Sequence, residues 1–430
     1  MKASINFDPA TDELLIKLPA AAWRAAQQQG DFHGGERAIR RLLSAAGQEL
    51  TATWLRAQDV DVAQLELAGE TWYRKDPSAG HYQTLYGAVV VERHLYQTSA
   101  GGATLCPLEL NCQLQFGSAT PLLAEIVSFK LASATAREVE QDLAKSHGLQ
   151  LSDSYLQTLG QQVGARAVVP AQAWVRPLPA APAPVTFIAS GVDGTTMPLV
   201  GEDYKEAMCG TLALYNLAGE RLTTEYHGAM PQAGKADFET AFAARTQQLL
   251  AHFPNALHVC LGDGAKWNWE FFRRHFPWAL LILDFFHAAA HLHRAAELVF
   301  GVGPQAQRYY EKWRAKLLTA PGAVGRMVRS LLRHARGRQL AAKAWRALQT
   351  ELNYFRHNAE LMRYAEFRAA DLPIGSGVTE AGCKELIKAR FCRSGMHWYR
   401  ATGAPLLELR AIKLSQQWDG FWANVMLAAT

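Results

Sequence analysis

The sequence predicts a mixed-sheet α/β core, followed by an all-helical basic segment and preceded by an α+β region. Two observations carry this. After residue 185, apolar runs follow one another in the order β-β-β-α-β-α-β, the order of an α/β layer with a mixed sheet. From about 288 to 368 the periodicity becomes helical throughout and the charge turns basic. The strands are VTFIASGVDGTTMPLV, EAMCGTLALYNL and GERLTTEYHGAM, joined as hairpins, and then NALHVCLGDG and WALLILDFFH. Between them KADFETAFAARTQQLLAHFP and AKWNWEFFRRHFP have the spacing of amphipathic helices, each ending at a proline.

Bulk composition agrees with a globular chain. Its 430 residues are 49% hydrophobic and 19% charged, enough for two or three domains. No run approaches the roughly 20 apolar residues of a membrane span. The start, MKASINFDPATDELLIK, lacks the basic-then-apolar order of a signal peptide, so a cytoplasmic protein with no membrane partner is expected. The six cysteines form no CxxC pair, which points to reduced thiols rather than zinc or a disulfide framework. The formal charge of +5 is unevenly spread: residues 301–350 hold eleven Lys or Arg and one acid, Glu311. Such a run fits an anionic partner, or simply a solvated helical face.

Ahead of the core, residues 10–60 read as helical, with AAAWRAAQQQ and ERAIRRLLSAAGQEL as amphipathic stretches. The stretch TWYRKDPSAGHYQTLYGAVVVERHLYQT reads as a small β-meander. In 120–168, AREVEQDLAKSHG, the short LQL and the Ser-capped SDSYLQTLGQQVG fit helix-turn-helix, a pattern also common away from DNA. PLPAAPAPV, residues 177–185, reads as a linker. The expected divisions are therefore 1–118, 119–176 (helix-turn-helix-like), 177–185 (linker), 186–300 (core), 301–370 (basic helical insertion) and 371–430 (the last of the core and C-terminal helices).

Asp193, Asp263 and Asp284 each follow an apolar run where a buried strand should emerge, the end at which α/β sheets gather ligand sites. A lone aspartate there is more often a turn or cap residue. A fourth acid, Glu380, opens a helix after the glycines of LPIGSGVTEAGCK and precedes Lys384, Lys388, Arg390 and Arg393, with His397 beyond. Carboxylates could hold Mg²⁺ while the cations, Lys384 and Lys388 on one helical face, meet phosphates. Glu380 could equally serve only the helix dipole. His287 and His291 are four apart, as in zinc sites, but the Glu of HExxH is missing. His287 is better placed to bond a backbone group or Asp284. Trp267 and Trp269 could stack bases, although core packing suits at least one of them.

Taken together, SGVDGTT, LGDGAKW, LDFFHAAAHL, GSGVTEAGCK and RSGMHW resemble the DDE transposases of bacterial insertion sequences, in the ISKra-type branch distantly similar to Mutator-like elements. The resemblance covers about residues 185 to 425 strongly and the N-terminal part loosely. It implies an RNase H-like catalytic core with a helical insertion before the last acid, and Mg²⁺-dependent cleavage and joining of DNA ends. Two ions are implied, replaceable by Mn²⁺. Also implied are double-stranded DNA as partner (terminal inverted repeats and target), an assembly of at least two protomers on it, and a place at the bacterial nucleoid.

Carried onto this chain, the first catalytic and metal-holding acid is Asp193 and the last is Glu380. The second follows the fourth strand, which favours Asp263 and leaves Asp284 with His287 as a supporting DxxH motif. The rival assignment makes Asp284 catalytic and Asp263 a helix cap. Arg333, Arg336 and Arg338 of the basic insertion would track the DNA backbone. Two other classes stay open: a transposase-derived DNA-binding protein without catalysis, and a stand-alone metal-dependent nuclease.

Overall fold

In the computed structural model the chain divides into two compact units, Met1–Val175 with Trp418–Thr430, and Arg176–Gln417. The structure describes residues 3–168, 174–232 and 235–427.

The first unit opens on a hairpin of β1 (Ser4–Asp8) and β2 (Glu13–Lys17), within a region where helix alone was expected after residue 10. SINFD and ELLIK are too short to show a helical period, and the turn between them puts Asp12 at φ 56°, a conformation Asp tolerates. Helix α1 (Ala20–Gln27) and the long α2 (Phe32–Ala57) then follow as read; Asp31 caps α2 by accepting from Gly34 N at 2.7 Å.

The expected single meander is instead two sheets. Strands β3 (Gln64–Leu67), β4 (Glu70–Arg74) and β7 (Tyr96–Thr98) pair in that order, while β5 (Ser78–Thr84) and β6 (Gly87–Arg93) pair with each other. A short α3 (Pro107–Asn111) leads to three helices, α4 (Pro121–Leu131), α5 (Ala136–Ser146) and α6 (Asp153–Val168). Thr135 and Glu138 form a capping box on α5, and Ser152 accepts from Tyr155 N at 3.3 Å at the head of α6, as the sequence suggested. The C-terminal helix, Trp418–Leu427, belongs to this unit rather than to the core with which it was grouped. Its Trp418 and Trp422 rings lie 5.1 and 6.0 Å from Phe129 and Phe116.

The second unit is built on five strands: β8 (Phe187–Met197), β9 (Lys205–Tyr215), β10 (Arg221–Ala229), β11 (Leu257–Gly262) and β12 (Leu280–Leu283). Their order is β10-β9-β8-β11-β12; β8, β9 and β10 run antiparallel, and β11 is parallel to both β8 and β12. Helices α7 (Ala236–His252) and α8 (Lys266–His275) make the connections. Then come α9 (Phe285–Phe300), α10 (Pro304–Thr319), α11 (Ala323–Gly337), α12 (Ala342–His357) and the short α13 (Tyr364–Ala369). These helices share one core with the sheet, in which Leu292, Met327, Leu331, Leu352 and Phe355 join Ile282 and Phe272. On α11 the apolar face buries Met327, Val328 and Leu331 while Arg326, Arg329, Arg333 and Arg336 stay exposed.

The start of the expected linker is tied down. Arg176 donates to Tyr226 O and Glu408, and Arg245, paired with Glu225, donates to the carbonyls of Arg176 and Pro177 at 3.0 and 2.7 Å. The chain ends its path through this unit with α14 (Gly377–Gly382), a π-helical segment Cys383–Lys388, α15 (Ala389–Phe391) and α16 (Arg400–Leu414).

Candidate acidic site at the carboxyl edge of the sheet

Three aspartates reach the same edge because of where the parallel strands stop. β11 pairs with β8 only as far as Gly191, whereas β8 continues beside β9 to Met197. Asp193 therefore lies within its strand rather than beyond it, two residues past the last pairing with β11. Asp263 follows the last residue of β11, and Asp284 the last residue of β12.

Glycine brings the fourth acid onto this edge. A Cβ at Gly191 would stand 1.9 Å from Thr379 Oγ1, which is itself 2.8 Å from Thr211 Oγ1, and one at Gly382 would stand 3.0 Å from Cys209 Sγ. Only residues without side chains let α14 lie this close to β8 and β9. Asp193, Asp263 and Glu380 consequently line one cleft of about 160 Å³, with His287, Ser376 and Thr379 among its walls.

The carboxylates differ in their surroundings. Asp193 Oδ1 accepts from Gly194 N at 2.7 Å, and the Cys383 thiol lies 3.5 Å from Oδ2. Burial, and then the like charges of Asp263 and Glu380, push the Asp193 carboxyl above the usual range. Asp284 is wholly buried and fully engaged: Oδ1 accepts from His287 N (2.6 Å) and Nδ1 (3.0 Å), and Oδ2 from Ser376 N (2.5 Å) and Oγ (2.9 Å). Burial opposes its charge, but the bonds from His287 and Ser376 prevail and hold its carboxyl below the usual range. The bond to Asp284 raises His287 in turn, against the effect of burial. Ser376 Oγ also sits 3.1 Å from Glu380 Oε1. One ligand atom each of Asp284, His287 and Glu380 lie within 4.8 Å of one another.

Of the two disputed aspartates only Asp284 caps a helix, while Asp263 holds the loop ahead of one. Asp263 Oδ1 accepts from Ala265 N (2.9 Å) and Asn268 Nδ2 (3.0 Å) ahead of α8, and Asp284 caps α9. The two part company at the cleft: Asp263 faces it, whereas Asp284 has given both its oxygens to protein donors.

Of the cations, Lys384, Lys388, Arg393 and His397 are exposed beyond Glu380, and Arg333, Arg336 and Arg338 are exposed on or just after α11. Lys384 and Lys388 lie on the π-helical segment Cys383–Lys388, four residues apart and both exposed. One expectation changes. Arg390 is 3% exposed, its guanidinium 5.1 Å from the Trp398 ring centre and 5.7 Å from that of Phe391, so it is a packing residue and not a phosphate ligand.

His291 bonds Glu351 at 2.6 Å, and Trp267 stacks on Phe271 with ring centres 5.5 Å apart; Trp269 is buried. Ser376 and Thr379 were not singled out from sequence, because their value lies in bonds with residues far along the chain. The same holds for a groove of about 890 Å³ in the first unit, lined by Arg37, Arg40, Arg41 and Lys145.

No family model matches the chain, and no curated protein matches it in sequence. Among the described residues no helix is long and apolar enough to cross a membrane.

Proposed function

We propose that the second unit is an RNase H-like nuclease and strand transferase of the DDE-transposase kind, acting on double-stranded DNA. One observation carries the reading: Asp193, Asp263 and Glu380, remote in sequence, line a single cleft at the carboxyl edge of the sheet. The strand order, with the first strand central and the fourth and fifth parallel to it, supports the same view.

The residues fit divalent cations. Burial, and then the like charges of Asp263 and Glu380, raise the affinity of Asp193 for a proton, and a hard cation relieves that repulsion as a proton does. Asp193, Asp263 and Glu380 would hold Mg²⁺, or Mn²⁺ in its place. A bound pair of such ions supplies Lewis acidity and an activated oxygen nucleophile for in-line displacement. The chain's own residues do the rest. Asp284 fixes His287 and Ser376, and Ser376 in turn meets Glu380, so the last acid is held from the sheet side. Lys384, Lys388 and Arg393 would take the DNA backbone beside the cleft, and α11 would extend that grip. In the first unit, exposed Gln157, Thr158 and Gln162 of α6 suit base edges, and Arg37, Arg40 and Arg41 suit phosphates. At least two protomers on DNA, in a bacterial cytoplasm, belong to this proposal.

The test is incubation with Mg²⁺ and duplexes taken from the DNA flanking the reading frame. Cleavage followed by joining of the freed 3′ ends to a second duplex is expected. Cleavage without joining would make the protein a nuclease, and selective binding with neither step a DNA-binding derivative.

Salt dependence separates residues that meet the backbone from those that pack. Changing Arg333, Arg336 and Arg338 to Ala should flatten the slope of log affinity against log salt by roughly 0.9 for each phosphate no longer neutralised. Arg390→Ala should leave the slope unchanged and lower the melting temperature, since its guanidinium is buried against Trp398. Fluorescence anisotropy across a salt series checks both.

A further inference from the structure

We propose that Tyr354 is a positioning residue for Asp263: its hydroxyl, held under the Asp263–Gly264 turn, is the donor this carboxylate takes up when a divalent cation enters the cleft. The inference rests on the functional reading above and assigns a task to the helical block within it.

Tyr354 lies on α12, yet its hydroxyl is buried and, among the described residues, has no hydrogen-bond partner. A buried phenol normally finds one. The ring is aimed deliberately. It stacks on His291 with centres 3.5 Å apart and planes 17° from parallel. His291 is in turn fixed by Glu351 at 2.6 Å, and Glu351 also accepts from Arg294 at 3.3 Å. The turn above is shaped to the ring: Gly264 has φ +102°, and a Cβ there would lie 3.3 Å from Tyr354 Cε2 and 3.4 Å from its hydroxyl.

At present Asp263 spends Oδ1 on the head of α8, accepting from Ala265 N and from Asn268, which also donates to Val192 O at 3.2 Å. A carboxylate turning toward a cation loosens such bonds and needs a replacement donor to keep its orientation. The hydroxyl beneath Gly264 stands ready. A phenol, with an ordinary value of about 10, keeps its proton at neutral pH, so it donates to the carboxylate. Exposed Lys343, Arg346 and Arg356 also lie on α12, so one helix bears both cations and the brace under the acidic turn.

Tyr354→Phe removes the hydroxyl and keeps the ring on His291. The test is a Mn²⁺ titration of the full-length protein followed by its melting temperature, with Asp263→Asn alongside. Without metal, Tyr354→Phe should melt at or slightly above the wild type, because the lost group bonds nothing. The Mn²⁺ concentration for half the maximal shift should rise about tenfold or more, the usual cost of losing a group that orients a metal ligand. Asp263→Asn should lose most of the shift. An unchanged Mn²⁺ midpoint in Tyr354→Phe, with Asp263→Asn impaired, overturns this inference alone. A wild-type protein whose melting is indifferent to Mn²⁺ overturns the metal site and this inference together.

Discussion

Asp193→Asn should abolish metal-dependent DNA cleavage and, in the same protein, raise stability. Cation-assisted displacement supplies several kcal/mol of barrier lowering, so removing one ligand should cost at least about 10³-fold in rate. The stability gain has a separate origin. Asp193 is partly buried beside Asp263 and Glu380, and its folded carboxyl binds a proton more tightly than the unfolded one. A raised carboxyl contributes most to stability in acid, below the unfolded value, and loses that contribution as pH rises through the folded value. At neutral pH the charged wild type therefore carries the penalty, and the amide does not. The gain should be about 1 kcal/mol, in line with other relieved functional sites. Melting curves of the metal-free proteins should diverge at pH 7 and converge as the pH falls. A variant that is less stable than wild type at pH 7 would mean that Asp193 is held by favourable bonds and is not a strained ligand.

The part of the fold that was legible is the part dictated by burial. Strands β11 and β12, LHVCLG and LLIL, are nearly continuous apolar runs followed by Asp263 and Asp284, and the chain order of the five core strands and of the helices between them agrees with the sequence reading. The N-terminal hairpin was not legible, because five-residue pieces such as ELLIK carry no period and are mostly exposed. Nor was the place of Trp418–Leu427, since an apolar helix does not state which core it will join.

The site shows the same division. Strand-end aspartates and a helix-opening glutamate are visible as residue types in position, and the structure places Asp193, Asp263 and Glu380 together. The fate of Arg390 was hidden because spacing along a regular helix says nothing of the π-helical turn before it or of Trp398 beneath it. Ser376 and Tyr354 acquire their meaning only from tertiary neighbours, Asp284 and Glu380 in one case and Gly264 in the other.

Asp284→Ala should unfold the protein more readily, by about 3–5 kcal/mol, the range for stripping one partner from a buried charged network. The carboxylate joins three pieces of chain: the end of β12, the first turn of α9 through His287, and the loop that delivers Ser376 to Glu380. Its loss leaves Ser376 N and His287 N without their acceptor, and frees His287 to turn away from the cleft.

The pH response follows from the two shifts. The lowered Asp284 contributes stability above the ordinary carboxylate value of about 3.9 and loses it as pH falls through the folded value; the raised His287 contributes below the ordinary imidazole value of about 6.5 and loses it as pH rises through its own. Both contributions hold fully between about pH 4 and 6.5. The difference in stability between wild type and Asp284→Ala should be largest in that window and should shrink on either side, as chemical denaturation at several pH values would show. Asp263→Asn should behave in the opposite way, keeping most of its stability while losing cleavage, because Asp263 faces the cleft and Asp284 does not need a cation to be satisfied. If Asp284→Asn folded like wild type but failed to cleave while Asp263→Asn cleaved normally, the second catalytic acid would be Asp284, and Asp263 would be left holding the loop ahead of α8 through Ala265 N and Asn268.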